Sequence, residues 1–428
     1  MKKQIVAVMA IAACFMTQAC VKNATTPEEN NNPPKVQELN VPPTFNWVTS
    51  KTITCTVNST VAVPVGIYLD KECAEELLAT FTVSESNVVP LSVPSATASL
   101  YIKYKSASGN DKIAEQILNN DAVAFTISDA ATKGAAGTKA DDVPVYDGKG
   151  YISYPADWGT VLFEDLFPAL GDYDFNDCVM SYQVAVEFPW KNGKYDTQHT
   201  KQIRIHLRLR AIGGVLAFTP YVRVAGLDKS IVSMPNPPYN NPAYVNPGIY
   251  NDTKDGVQVS LVDSKLTQDV VVEFKNLNAR NPFRLPGTAF YNTEHGETIK
   301  HDQLTEVFVY LSFSRELEVR SLLDEKIDIF LASADKTKEI HVKGFYPVFS
   351  EYDFNRAGVD KKIPYASDKN LVWGIKIPKG SKFLHVAEKI NFCDAYKDFA
   401  PWVTSGGTTN KDWYNTNKVE ENLIKWKK

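Results

Sequence analysis

Five acidic side chains and one amide fall within fourteen positions of the segment Phe163-Glu164-Asp165-Leu166-Phe167-Pro168-Ala169-Leu170-Gly171-Asp172-Tyr173-Asp174-Phe175-Asn176-Asp177. Asp172, Asp174 and Asn176 stand at i, i+2 and i+4. An extended backbone projects their oxygens from one face and turns Tyr173 and Phe175 to the other. Carboxylates this crowded repel one another unless they are protonated or bridged by a cation. A hard ion that takes six to eight oxygen ligands suits the set, and calcium is the natural candidate. The expected ligands are Asp172, Asp174, Asn176 and Asp177, with Glu164 and Asp165 in support. The segment departs from an EF-hand, because its sixth position is Asp177 rather than Gly and its twelfth is Gln183 rather than a bidentate Glu. The competing reading gives the same side chains the task of capping turns and satisfying backbone amides.

No other segment offers comparable chemistry. The chain has no G-x-S-x-G elbow, no H-E-x-x-H and no glycine-rich phosphate loop, and its six histidines are scattered singly. Glu294, His295, His301 and Asp302 match no metal-binding spacing. Ser405-Gly406-Gly407 lacks a His or Asp partner by spacing and reads as a turn. The sequence therefore points away from an enzyme, leaving a cryptic hydrolase as the weakest alternative. A binding role draws on Trp47, Trp158, Trp190, Trp402 and Trp413, since exposed aromatic rings stack on sugar faces and anchor protein interfaces. It draws also on Met234 to Asp252, where five prolines accompany Tyr239, Tyr244 and Tyr250. That stretch cannot pair as a central strand and is expected to be an exposed loop, a candidate binding element.

The elements that must position these residues are strands. Period-two alternation recurs along the chain, and helical periodicity is scarce. Val61, Val63, Val65, Ile67 and Leu69 alternate with smaller or polar residues, as do Leu100, Ile102 and Tyr104. Ile203, Ile205, Leu207 and Leu209 alternate with Arg204, His206, Arg208 and Arg210, an amphipathic strand whose basic face is expected to be solvated. Further runs occupy Val257 to Leu261, Val270 to Phe274, Val307 to Phe313, Ile327 to Leu331, Ile340 to Val342 and Leu371 to Ile377. Lys71 to Phe81 and Ala114 to Asn119 are each compatible with a helical turn or two. The expected fold class is all-β: tandem β-sandwich domains, Ig-like or jelly-roll-like, with long loops. Residues 130–150, rich in Gly, Ala and Asp, read as a linker and place a boundary near residue 140. That gives an N-terminal sandwich over 41–139 and a second β domain over 140–428.

Ahead of them, Lys2, Lys3 and the apolar run Ile5 to Met16 read as an export signal over residues 1–19, too short to span a bilayer. Thr17-Gln18-Ala19-Cys20 places a lipidation site at Cys20, before a polar tether over 20–40. Ile11-Ala12-Ala13-Cys14 is a rival with better spelling and poorer position. A diacylated cysteine gains about 0.8 kcal/mol per buried methylene, enough for a durable anchor. Removing Lys2 and Lys3 moves the formal net charge from −4 to −6. That charge argues against nucleic acid as a partner. Of the remaining thiols, Cys55 and Cys73 read either as a disulfide pair or as separate buried thiols, and Cys178 and Cys393 leave the count even.

Gly159-Thr160-Val161-Leu162, followed by the acidic segment, resembles the signature of the LruC-domain lipoproteins, a family of exported bacterial proteins found in Bacteroidetes and spirochaetes. The resemblance continues through Leu207-Arg208-Leu209-Arg210-Ala211-Ile212-Gly213 and Glu339-Ile340-His341-Val342 with Pro347. It closes with Trp373-Gly374-Ile375-Lys376-Ile377-Pro378, Ala395-Tyr396, Phe399, Trp402, Ser405-Gly406-Gly407 and Asp412-Trp413-Tyr414, so that it spans roughly residues 140 to 415. Cys178 and the Pro/Tyr loop depart from the pattern. The resemblance implies a lipid-anchored outer-membrane or cell-surface β protein of unassigned biochemical role, and it carries no catalytic residue; a structural, adhesive or ligand-binding role is expected by elimination. The expected partners are the membrane, through the lipid, and a glycan or protein ligand at the surface. A glycan-binding module of a surface polysaccharide system is the first alternative. Glu351-Tyr352-Asp353-Phe354-Asn355-Arg356 echoes the acidic motif but ends in a cation, and reads as chance similarity.

Overall fold

Alternating apolar and β-branched residues build twenty strands in the computed structural model, which describes residues 33–130, 150–235, 257–277, 290–300, 304–353, 355–380 and 382–427. The first five are β1 (Ser50–Tyr68), β2 (Leu77–Pro94), β3 (Ser99–Lys105), β4 (Asp111–Ile117) and β5 (Ala122–Ile127). After them come β6 (Gly150–Phe163), β7 (Cys178–Phe188), the short pair β8 (Trp190–Lys191) and β9 (Lys194–Tyr195), β10 (His199–Ala211), β11 (Phe218–Asp228) and β12 (Val232–Ser233). The last eight are β13 (Gln258–Leu261), β14 (Asp269–Lys275), β15 (Thr298–Ile299), β16 (Glu306–Glu318), β17 (Ile327–Ser333), β18 (Glu339–Ile340), β19 (Gly374–Ile377) and β20 (Lys425–Trp426). Two short helices, α1 (Phe392–Ala395) and α2 (Phe399–Thr404), lie near the C-terminus.

The larger sheet runs β12-β16-β10-β7-β6-β2-β1-β3-β4, with β19 pairing β6 and β5 lying parallel to β1. The second sheet runs β13-β14-β11-β17-β18. Ile203, Ile205, Leu207 and Leu209 of β10 and Val307, Val309 and Leu311 of β16 share one core with Val222, Val270, Val272, Ile327 and Ile329 of the second sheet. The fold is thus an all-β sandwich, as the alternation predicts. The expected export signal over 1–19, Cys20, the Pro/Tyr loop with Tyr239, Tyr244 and Tyr250, and the residue-140 boundary all lie outside the described residues. On the two sides of that boundary, Ala79 and Thr80 of β2 pair with Ile152 and Tyr151 of β6, so one sheet includes strands from both.

A second core covers part of the large sheet. Leu162, Val179 and Ala211 pack with Phe45, Trp47, Phe392, Tyr396, Phe399, Trp402 and Trp413. Edge-to-face rings dominate it, such as Phe392 on Trp413 at 5.5 Å and Phe399 on Trp413 at 4.9 Å, a geometry that favours aromatic pairs beyond their buried area.

Two expectations change and one open alternative closes. Lys71 to Phe81 is not helical: Asp70 accepts the backbone N–H groups of Ala74 and Glu76 at 2.7 and 2.8 Å, closing a hairpin loop before β2 begins at Leu77. Ala114 to Asn119 falls largely in the edge strand β4, because each of its residues from Ala114 to Ile117 pairs with β3. Cys55 and Cys73 form no bridge; both are buried free thiols, as are Cys178 and Cys393. Burial pushes the Cys55 and Cys178 thiols up to about 12, so neither is a nucleophile at neutral pH.

Candidate cation site

The acidic segment bridges the end of β6 and the start of β7, and the aromatic core shapes it. Tyr173 and Phe175 bury their rings against each other at 5.4 Å, and Phe175 meets Phe392 at the same distance. Both residues sit in the left-handed region, with φ of 59° and 52°. The extended backbone predicted from the spacing is therefore corrected. Left-handed geometry at two bulky aromatic residues is uncommon and persists only where packing compels it. Its result is that the N–H groups of Tyr173 and Phe175 both donate to the Glu164 carboxylate, at 3.2 and 2.7 Å. Successive N–H groups gathered in this way form an anion-holding concavity, here occupied by a side chain of the same loop.

Around that anchor the other acids assemble. Carboxylate oxygens of Glu164, Asp172 and Asp174 all lie within 4.8 Å of one another. Glu164 and Asp174 are buried and Asp172 is exposed. Asp174 accepts from the backbone N–H of Asn176 at 3.1 Å and of Lys389 at 2.8 Å. Asp165 and Asp177 form an adjoining group: Asp177 accepts the Asp165 N–H at 2.6 Å, and Asp165 accepts the Leu216 N–H at 3.0 Å. Asn176 donates its amide to the Val386 carbonyl at 3.2 Å, while its buried Oδ1 has no hydrogen-bond partner among the described residues. The structure thus brings all six expected residues into one neighbourhood, with Glu164, Asp172 and Asp174 closest together. Several of their oxygens also accept backbone N–H groups, as the turn-capping reading of the sequence expects.

Sequence spacing missed several contributors. Glu388 lies near enough that the charges of Asp172 and Asp165 act on it, and its buried Oε2 has no hydrogen-bond partner among the described residues. Gly171, Gly213 and Gly214 admit the cluster: a Cβ on them would stand 1.9 Å from Glu164 Oε2, 1.9 Å from Asn176 Oδ1 and 2.4 Å from Asp165 Oδ2. The Gly213-Gly214 pair was a visible signal. The position of Glu388 gave none.

The electrostatics follow from burial and like charge. Burial, then the nearby charges of Asp177, Asp174 and Asp172, hold the Glu164 carboxyl well above the usual carboxylate range. Burial and Asp172 push Asp174 up to about 8, and burial and Asp165 push Asp177 up to about 7. Burial, with Asp172, raises Glu388 as well. None of the six expected ligands makes an ion pair with a lysine, arginine or histidine among the described residues. A cluster in this state holds protons, or it holds a cation. An all-oxygen donor set with carboxylates and an amide suits a hard divalent ion, calcium above zinc.

The remaining candidates resolve simply. Trp47, Trp402 and Trp413 are buried in the aromatic core, Trp158 is half-buried, and Trp190 is 58% exposed. The basic face of β10 is not uniformly solvated. Arg210 is fully buried, donating to Thr160 Oγ1 at 2.8 Å and the Phe383 carbonyl at 2.6 Å. Arg208 pairs with Glu306 at 2.6 Å and lies over the Trp158 ring.

The model of the family DUF4842, a domain of unknown function, matches residues 199–414. No curated protein matches the chain. A crystal structure described as a candidate lipoprotein from Bacteroides ovatus is similar in fold, with a TM-score of 0.63 at 21% identity over 85% of this chain and 99% of that one.

Proposed function

Because the chain belongs to the DUF4842 family, whose function is unknown, we propose on the site's own geometry that it is a lipid-anchored surface protein whose sandwich is stiffened by calcium. One observation carries the reading: the Glu164, Asp172 and Asp174 carboxylates converge within 4.8 Å with no cationic side chain paired to them among the described residues. The ion would be held by those three, with Asp165, Asn176, Asp177 and Glu388 close by. It would lock the loop between β6 and β7 to the segment containing Val386 and Lys389, whose backbone already bonds Asn176 and Asp174. The role is structural, adhesive or ligand-binding rather than catalytic. Anchoring at Cys20 is supported by the leader pattern, by the LruC-type motifs, and by the described nature of the B. ovatus protein. No helix among the described residues is long and apolar enough to cross a membrane.

Thermal unfolding in EDTA and in millimolar calcium tests the reading. An ion that binds only the folded chain adds about 2.7 kcal/mol at a hundredfold excess over Kd, which raises Tm by several degrees. An Asp172→Ala, Asp174→Ala variant is expected to lose that rise. Identical wild-type melts in the two buffers would reduce the segment to turn capping.

A further inference from the structure

We propose that the cleft beside Trp190 binds a neutral carbohydrate, with the indole as the stacking platform. The cleft, of about 560 Å³, is lined by Thr82, Glu187, Trp190, Thr200, Lys201 and Gln202 among others. Its size falls within the roughly 300–1,000 Å³ usual for small-molecule sites.

Trp190 is displayed by a rigid device. It begins the β8–β9 hairpin, whose turn residues Asn192 and Gly193 have φ of 50° and 80°, the signature of a tight type I′ connection. Its ring meets the buried Tyr195 edge-on at 4.8 Å. The Tyr195 carbonyl is tied to Asn87 at 3.1 Å, and Lys191 reaches Asp196 at 2.9 Å and Glu316 at 2.6 Å. The indole is therefore held exposed in a fixed orientation. A side chain ordered before the ligand arrives loses little entropy on binding.

The opposite wall is also unusual. Thr200, Lys201 and Gln202 are consecutive, yet all three line the cleft. An undisturbed strand turns alternate residues to opposite faces. Here the pairing of β10 with β16 slips, from Thr200 opposite Leu317 to Gln202 opposite Ser312. The Thr200 hydroxyl stabilises the slip by donating to the Glu187 carbonyl at 2.7 Å and accepting from the Gln202 N–H at 3.1 Å. The extra residues of the irregularity lie on β16, where 313–316 stand against Lys201 alone, and the break interrupts the regular alternation beside the cleft.

The result sets one flat aromatic face beside residues that carry a carboxylate, a carboxamide, an ammonium and, at Thr82, a hydroxyl. A pyranose presents the matching pair of surfaces, an apolar C–H face and a rim of hydroxyls that donate and accept. Lys201 and Glu187 bring opposite charges to the same cleft, which favours a neutral sugar over an anionic one. A hydrophobic peptide would find a single large exposed anchor.

Native affinity electrophoresis of the full chain in gels containing dextran, galactomannan, xylan or polygalacturonate reads the assignment. At least one neutral polysaccharide is expected to retard the wild type. Trp190→Ala is expected to weaken that retardation about tenfold or more, the scale of a lost aromatic anchor. Trp190→Tyr, which keeps an aromatic face, retains most of it, and Gln202→Ala weakens it without touching the hairpin. Failure of all three neutral polysaccharides, retardation by polygalacturonate alone, or wild-type retardation of Trp190→Ala would each overturn the proposal.

Discussion

Glu164 accepts two backbone N–H groups, which by itself favours its ionised form, yet burial and three neighbouring carboxylates win and hold its carboxyl well above the usual carboxylate range. The sign of the resulting pH dependence follows directly. Asp174 titrates near 8 in the folded chain, and near about 4 in the unfolded one. The folded chain thus binds more protons at this group between those values, so the contribution of Asp174 to the stability of the calcium-free protein is fullest below about pH 4 and falls as pH rises towards 8. Calcium favours the ionised carboxylates and removes the penalty. Melts in EDTA are therefore expected to show Tm declining from pH 5 to pH 8, and melts in calcium to show no such decline; parallel slopes in the two buffers would contradict this. The acids of this site were legible because they are crowded within fourteen positions. The backbone that presents them was not. Local alternation suggests an extended strand, whereas burial of Tyr173 and Phe175 in the aromatic core imposes left-handed geometry that spacing does not encode. Glu388, more than two hundred positions away in the chain, joins through tertiary packing alone.

At the scale of elements, β10 shows both what a period reveals and what it conceals. Its apolar face was readable residue by residue, and Ile203 to Leu209 are buried in the sandwich as the alternation requires. Its basic face reads as solvated only while the second layer over it is unknown. The C-terminal segment packs there, so that Arg210 joins Thr160 of β6 to the Phe383 carbonyl and stacks beneath Trp426 at 4.8 Å. A guanidinium with a planar fork of donors can satisfy several such acceptors at once. Removing it leaves them buried and unpaired. Arg210→Ala is expected to cost roughly 3 kcal/mol in urea unfolding, with the midpoint lowered; a loss under about 0.5 kcal/mol, typical of a surface change, would show that this contact does not hold the layers together. The strands β2 and β4 were obscured for a related reason. Each is specified by partners across the sheet rather than by a strong period of its own.

For the molecule as a whole, an all-β sandwich was readable from composition and alternation, while strand order was not. The sequence puts β2 and β6 on opposite sides of residues 131–149, yet they pair, and β19 returns from far down the chain to the other part of β6. Such pairings are chosen by which edges remain to be covered, information spread over the entire chain. The proposed anchor makes its own prediction: Cys20→Ala shifts the protein from the detergent phase to the aqueous phase in detergent partitioning of expressing cells, and unchanged partitioning would move the lipid to Cys14 or exclude it. The central claim, that the Glu164, Asp172 and Asp174 cluster holds calcium, is tested most directly by equilibrium dialysis against millimolar calcium followed by elemental analysis. The account predicts at least one calcium per wild-type chain and its loss in the Asp172→Ala, Asp174→Ala variant. A wild-type chain that retains none, or a variant that retains as much as the wild type, would contradict it.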